Sequence, residues 1–199
     1  MADNPINVSL PSNAPMMGVG WLKTLGRFGM RMLGWRLTGE VPNQSRVLFV
    51  VAPHTSNWDW IIGMLALLGV GFKITYMVKH SLFFWPLGRI IRATGGEPVV
   101  RSDAGGVVDQ LVQQFESHEV LYYGLAPEGT RSKVDRWKTG FLRVAQRTEV
   151  ALVLVSFDYS EKEIHIGPVY QPVGEIDQDI QAVMHYFSRF KGRNPHLQS

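Results

Sequence analysis

The chain has 199 residues, the length of one ordinary domain with room for a substantial core. Hydrophobic residues make up 45% and charged residues 19%, with a net charge of +3; this excludes a wholly disordered chain and makes the basic excess informative only through where the bases sit. With Cys 0, a disulfide scaffold, a thiolate zinc site, an iron–sulfur cluster and a cysteine nucleophile are all excluded.

Met1 to Pro15 is rich in Asn, Ser and Pro and lacks the basic start and apolar stretch of a secretory signal, so residues 1–15 predict a flexible tail facing the cytosol. Residues 16–37 predict an amphipathic helix. At ~100° per residue, Trp21, Leu25, Phe28, Met32 and Trp35 share one flank and Lys23, Arg27 and Arg31 another, with no acid in the segment. An aromatic stripe between basic flanks suits a helix lying among lipid headgroups, where half-burial and anionic attraction together supply about 8 kcal/mol before ordering costs. The alternative is that the stripe packs on the domain's own core. Gly20, Gly26, Gly29 and Gly34 weaken the helix in water, so packing or lipid must stabilise it. The longest apolar run, Trp60 to Phe72, has about a dozen residues against the ~20 that a spanning helix needs.

From residue 38 to 190 short β-rich runs alternate with helical patterns. They predict a single α/β domain with a mostly parallel central sheet and helices on both faces. The strand candidates are Arg46–Ala52, Lys73–Val78, Glu97–Val100, Val120–Ala126, Val150–Phe157 and Glu163–Val169, of which the first and fifth, RVLFVVA and VALVLVSF, carry the continuous apolar runs typical of central strands. The helix candidates are Trp58–Leu68, Ser81–Ala93, Asp103–Ser117, Gly140–Arg147 and Asp177–Phe190. Residues 191–199, KGRNPHLQS, predict a loose basic tail.

Ligands of open α/β sheets sit beyond the carboxyl ends of the strands. After the first strand candidate comes Pro53-His54-Thr55-Ser56-Asn57-Trp58-Asp59. Pro53 disfavours helix before it, and Thr55, Ser56 and Asn57 are all N-cap types, so His54 belongs to a turn and Asp59 to the first turn of a helix. From that turn the imidazole folds back toward the carboxylate. A carboxylate on Nδ1–H fixes the tautomer and leaves Nε2 as a base, which makes a general-base dyad without a protein nucleophile. The plain alternative is a structural histidine beside an N-terminal helix acid. No metal site is predicted: H-E-x-x-H is absent, and the other histidines show no ligand spacing to His54. G-x-S-x-G is absent too.

After Val120–Ala126 comes Pro127-Glu128-Gly129-Thr130-Arg131-Ser132. A tight glycine turn there presents a guanidinium, a hydroxyl and backbone N–H groups together, which suits a phosphate at ~1.5–3 kcal/mol per charge-assisted bond. Arg101, Lys79 and Lys138 are candidates to add charge, and the alternative is a surface Arg131–Glu128 pair contributing under ~1 kcal/mol.

PHTSNWD followed by PEGTRS, about seventy residues later, resembles the glycerolipid acyltransferases, the group that contains 1-acylglycerol-3-phosphate O-acyltransferase. Gly95-Gly96-Glu97-Pro98-Val99-Val100-Arg101 and Lys138-Thr139-Gly140 extend the likeness to roughly Arg46 through Phe157. The resemblance implies an enzyme in which His54 deprotonates the acceptor hydroxyl, Asp59 orients His54, and the hydroxyl attacks an acyl thioester directly. Glu128, Gly129, Thr130 and Arg131 then belong to the acceptor-binding block, with Arg101 on the acceptor's phosphate. No cofactor is implied; acyl-CoA or acyl-acyl-carrier protein is the co-substrate, and a lysophospholipid, first among them 1-acylglycerol-3-phosphate, is the acceptor. Three departures bear on the acceptor: Pro53 where many members have Asn, Ala126 where Phe is usual, and a fourth block, Val150 to Val155, without proline. The implied setting is peripheral attachment to the cytoplasmic face of a membrane in phospholipid biosynthesis. Other readings are acylation of a different lyso-lipid, such as an amino-acid-linked lyso-ornithine lipid, and a non-catalytic lipid-binding protein. Nucleic acid is not an expected partner, since the bases form no continuous stripe.

Overall fold

The computed structural model describes residues 4–17, 20–99 and 104–198. Eight strands and six helices alternate in the order β1 (Ile6–Ser9), α1 (Gly20–Leu33), β2 (Arg36–Glu40), β3 (Arg46–Ala52), α2 (Asn57–Val70), β4 (Thr75–Lys79), α3 (Leu87–Ala93), β5 (Gly96–Val99), α4 (Ala104–Ser117), β6 (Leu121–Leu125), α5 (Gly140–Thr148), β7 (Ala151–Asp158), β8 (Glu163–Tyr170) and α6 (Ile176–Phe187). They form one α/β domain around a single sheet of order β1-β2-β8-β7-β3-β6-β4-β5. Every neighbouring pair is parallel except the β7/β8 hairpin, so the sheet is mostly parallel.

Alternation along β3 explains the two layers. Val47 and Phe49 join Met30 of α1, Ile62 and Ala66 of α2 and Phe157 of β7 on one face. Leu48 and Val50 join Phe115 of α4, Leu142 of α5 and Val183 of α6 on the other. A strand apolar on both sides needs helices on both sides, and the central pair β3 and β7 is buried nearly throughout. α3 joins the first layer: its C-cap residue Thr94 has its hydroxyl 2.7 Å from Tyr76 Oη, and Trp60 of α2 donates to the same Oη at 3.4 Å.

α1 and α2 run together because glycines remove the side chains between them. A Cβ on Gly26 would collide with the Gly69 backbone nitrogen and lie 2.6 Å from Leu65 O, and one on Gly29 would lie 2.7 Å from Leu65 Cδ2. Arg27 Nε also donates to Gly69 O at 3.0 Å. Packing on α2 therefore stabilises this glycine-rich helix through one face. Its other face stays open: Trp21 (67% exposed), Leu25, Phe28 and Met32 all reach solvent.

Several expectations are corrected. Trp35 is not part of that open stripe. Gly34, at φ 70°, ends α1 in a left-handed turn, so Trp35 leaves the helical period and enters the core at 5% exposure, edge-on to Tyr159 at 4.8 Å. The helix occupies 20–33 rather than 16–37, because the chain continues into β2. Residues 1–15 are not a free tail throughout: β1 pairs with β2 at the sheet edge, and Ile6 and Ala14 are buried. Ser81–Ala93 is not one helix, since a 3-10 turn at His80–Leu82 and Pro86 precede α3. The segment 191–198 is docked: Tyr159 N donates to Lys191 O at 2.8 Å, and Gln198 Nε2 to Phe190 O at 2.8 Å. Among the described residues no helix is long and apolar enough to cross a membrane.

Gly26→Ala is expected to destabilise the fold by about 1–3 kcal/mol in urea unfolding. Gly20→Ala, where a Cβ meets nothing within 4 Å, is expected to be neutral or stabilising by up to ~1 kcal/mol in the same measurement. Equal losses would show that α1 is not held by close approach to α2.

Candidate active site

The carboxyl ends of β3 and β6 lie side by side and deliver two turns to the same edge of the sheet. The first turn feeds α2. Ser56 is its N-cap: Trp58 N donates to Ser56 Oγ at 3.2 Å, and Ser56 N donates to Asp59 Oδ2 at 2.9 Å, completing a capping box. The same Oδ2 lies 3.1 Å from His54 Nδ1. Asp59 is buried, whereas the His54 side chain keeps 21% of its surface exposed. With Nδ1 the ring nitrogen beside the carboxylate, Nε2 lies on the far side of the ring, which is the orientation a base needs.

The other oxygen, Asp59 Oδ1, accepts from Tyr159 Oη at 2.6 Å. Burial, and after it the bond to Asp59, push the Tyr159 phenol well above its usual range, so it remains a neutral donor. The turn is also fastened from the C-terminal segment. Asn194 N donates to Thr55 Oγ1 at 3.1 Å, Asn194 Nδ2 donates to Thr55 O at 2.9 Å, and the Arg193 guanidinium lies 5.0 Å over the Trp58 ring. Sequence reasoning missed Tyr159, Arg193 and Asn194. The only local hint was a tyrosine just beyond a central strand, because the contacts span 100 and 139 positions.

The second turn divides its residues between two jobs. Glu128 does not form the alternative surface pair with Arg131: its carboxylate points inward, is buried, and accepts from His54 N at 2.8 Å through Oε1. Its Oε2 is buried and has no hydrogen-bond partner among the described residues. Burial pushes its pKa from 4.5 up to about 7, with the nearby Asp59 adding to the rise and the His54 N–H and ring opposing it. Glu128 thus ties the β6 turn to the β3 turn. Gly129 adopts φ 67°, and a Cβ there would lie 2.9 Å from Lys138 Cε, so the lysine stem crosses over the glycine.

Thr130, Arg131 and Lys138 are exposed, and together with Gly129, Lys79 and His54 they line one cleft of ≈ 1820 Å³. Lys79 reaches it from the end of β4. The cleft continues over apolar side chains that include Met64, Leu67, Phe72 and Phe157. The structure therefore brings a His–Asp pair, the expected cations Lys79, Arg131 and Lys138, and an apolar limb to one cavity, which Arg136, Arg143 and Arg147 also line. Arg101 lies outside the described residues.

A family model described as Acyltransferase matches residues 36–170, and the chain belongs to that family. Among solved structures the chain is similar to the crystal structure of the 1-acyl-sn-glycerophosphate (LPA) acyltransferase, PlsC, from Thermotoga maritima. The sequences are 20% identical, the TM-score is 0.55, and the match covers 85% of this chain and 78% of that chain. The likeness is one of fold. A search of curated proteins finds no match.

Tyr159→Phe removes one donor from a buried carboxylate and is expected to lower stability by about 1–3 kcal/mol in urea unfolding, while retention of full stability would show that the bond is not made in solution. For Glu128 the folded pKa is raised, so the folded state binds the proton more tightly than the unfolded state between pH 4.5 and about 7. Relative to Glu128→Gln, the wild type is expected to lose about 3 kcal/mol of stability as pH rises through that window. Parallel stability curves for the two proteins would contradict a buried, shifted carboxyl.

Proposed function

We propose that the protein is a peripheral membrane O-acyltransferase that moves a fatty acyl group from a thioester, acyl-CoA or acyl-acyl-carrier protein, to the hydroxyl of a lysophospholipid, first of all 1-acylglycerol-3-phosphate. The observation that carries the reading is the 3.1 Å contact between His54 Nδ1 and Asp59 Oδ2 at the wall of a cleft shared by Arg131, Lys138 and Lys79. Family membership supports acyl transfer, and the fold shared with the Thermotoga maritima enzyme supports a phosphate-bearing acceptor.

In this mechanism His54 Nε2 takes the acceptor's hydroxyl proton as the oxygen attacks the thioester carbonyl carbon. Asp59 stabilises the imidazolium that forms. The tetrahedral intermediate collapses with cleavage of the C–S bond, and the imidazolium returns the proton to the departing thiolate. No acyl-enzyme is required. Arg131 and Lys138 hold the acceptor's phosphate at the cleft rim, where a planar guanidinium matches two phosphate oxygens. The apolar limb under α2 takes acyl chain, and the open stripe of Trp21, Leu25, Phe28 and Met32, with its bases, attaches α1 to the cytoplasmic face of a membrane.

His54→Ala is expected to lower turnover by about 10²–10⁴-fold or more, with the helical circular dichroism kept and a stability loss of about 1–3 kcal/mol from the partner taken from Asp59, assayed with lysophosphatidate and palmitoyl-CoA in detergent micelles. Equal rates would remove His54 from the chemistry. Arg131→Ala is expected to raise KM for phosphate-bearing acceptors more than for uncharged ones, and indifference to acceptor charge would remove its phosphate role.

A further inference from the structure

Charge is divided unevenly along the chain. Residues 4–96 carry nine Lys and Arg against two acids, Glu40 and the buried Asp59, whereas residues 97–199 carry eleven against fourteen. α1, α2 and α3 all come from the first stretch and lie on one face of the sheet, while α4, α5 and α6 come from the second and cover the other. Among the helices the asymmetry is one between faces: α1, α2 and α3 carry five Lys and Arg against Asp59, and α4, α5 and α6 carry two Arg against four acids. Exposed large hydrophobic side chains follow it. Of thirteen among the described residues, eleven lie between Met16 and Ile90, and only Val120 and Val173 lie elsewhere.

Much of that surface is separate from α1. Between β4 and the end of α3, Leu82, Phe84, Trp85 and Ile90 are exposed, Trp85 to 79%. Lys79, His80, Arg89 and Arg92 accompany them, and no Asp or Glu occurs between Asp59 and Glu97. The Arg92 guanidinium lies 4.9 Å over the Phe83 ring, which sets a cation beside the aromatic tip. Rings that reach the acyl boundary, with bases level with the phosphates, are what an anionic bilayer surface accommodates. The tip follows the carboxyl end of β4, the edge of the sheet that also carries His54 and Glu128, and Lys79, Ser81 and Leu82 line the cleft itself.

We propose that residues 80–90 form a second membrane-contact point, distinct from α1, that seats the cleft mouth on a bilayer containing anionic phospholipid. The inference rests on the acyltransferase reading for its purpose, a lipid acceptor entering from the bilayer, and not for its chemistry. Two contacts, one along α1 and one at the cleft mouth, fix the orientation of the domain where a single helix would leave it free to roll.

The absence of cysteine allows a direct test. Trp85→Cys and Val173→Cys are each labelled with an environment-sensitive fluorophore and titrated with vesicles of phosphatidylcholine, with and without phosphatidylglycerol. The label at 85 is expected to brighten and shift to the blue on the anionic vesicles and the label at 173 to stay unchanged. In parallel, Phe84→Ser/Trp85→Ser is expected to weaken binding to the anionic vesicles about 10–30-fold, and Arg89→Gln/Arg92→Gln about 10-fold, with helical circular dichroism and turnover in detergent micelles as in wild type. An unresponsive label at 85, or wild-type vesicle affinity in both double variants, overturns the proposal. So does a blue shift that needs no vesicles and grows with protein concentration, which would make the tip an interface between two copies of this chain. If the wild type transfers no acyl group in micelles, the acyltransferase reading falls, while the vesicle titration still decides the contact point.

Discussion

Asp59 carries the structure of the site. A buried carboxylate is costly unless hydrogen-bond donors surround it, and here the Ser56 N–H, the His54 ring and the Tyr159 hydroxyl meet its two oxygens. Because the residue is also the third position of α2, the interaction that starts the helix is the one that aims the imidazole. Helix nucleation and the orientation of the His54 ring are therefore not separable properties of this chain. The Glu128 carboxyl adds a second constraint behind the first, holding the His54 backbone from the neighbouring strand.

The layers of the fold were legible where a segment's environment depends on its own pattern. Residues Val47–Ala52 are apolar on both sides, which only a strand covered on both faces tolerates, and the strand occupies Arg46–Ala52. The short strands INVS, at the sheet edge, and RLTGE, next to it, carry no comparable pattern and gain their structure from each other and from β8. Trp35 misled because a helical wheel assumes that the helix continues, and a single left-handed glycine turned the side chain from one environment to the other.

The same division applies to the site. His54 and Asp59 are five positions apart, so their juxtaposition follows from one turn and one cap. Glu128, Tyr159 and Asn194 reach that turn over 74, 100 and 139 positions, and nothing in their immediate neighbours marks them. For Glu128 the resemblance named the residue while its direction was set by packing: the carboxyl turns toward the buried His54 N–H and leaves the cleft rim to Thr130, Arg131 and Lys138.

The fastening of Thr55 by Asn194 has a further consequence. The turn beside the imidazole is fastened only in a molecule whose distant stretches have met, so a partly condensed chain owns the outline of the domain with that turn still loose. Local shape at the head of α2 and completion of the whole architecture are thereby coupled through the last residues of the chain.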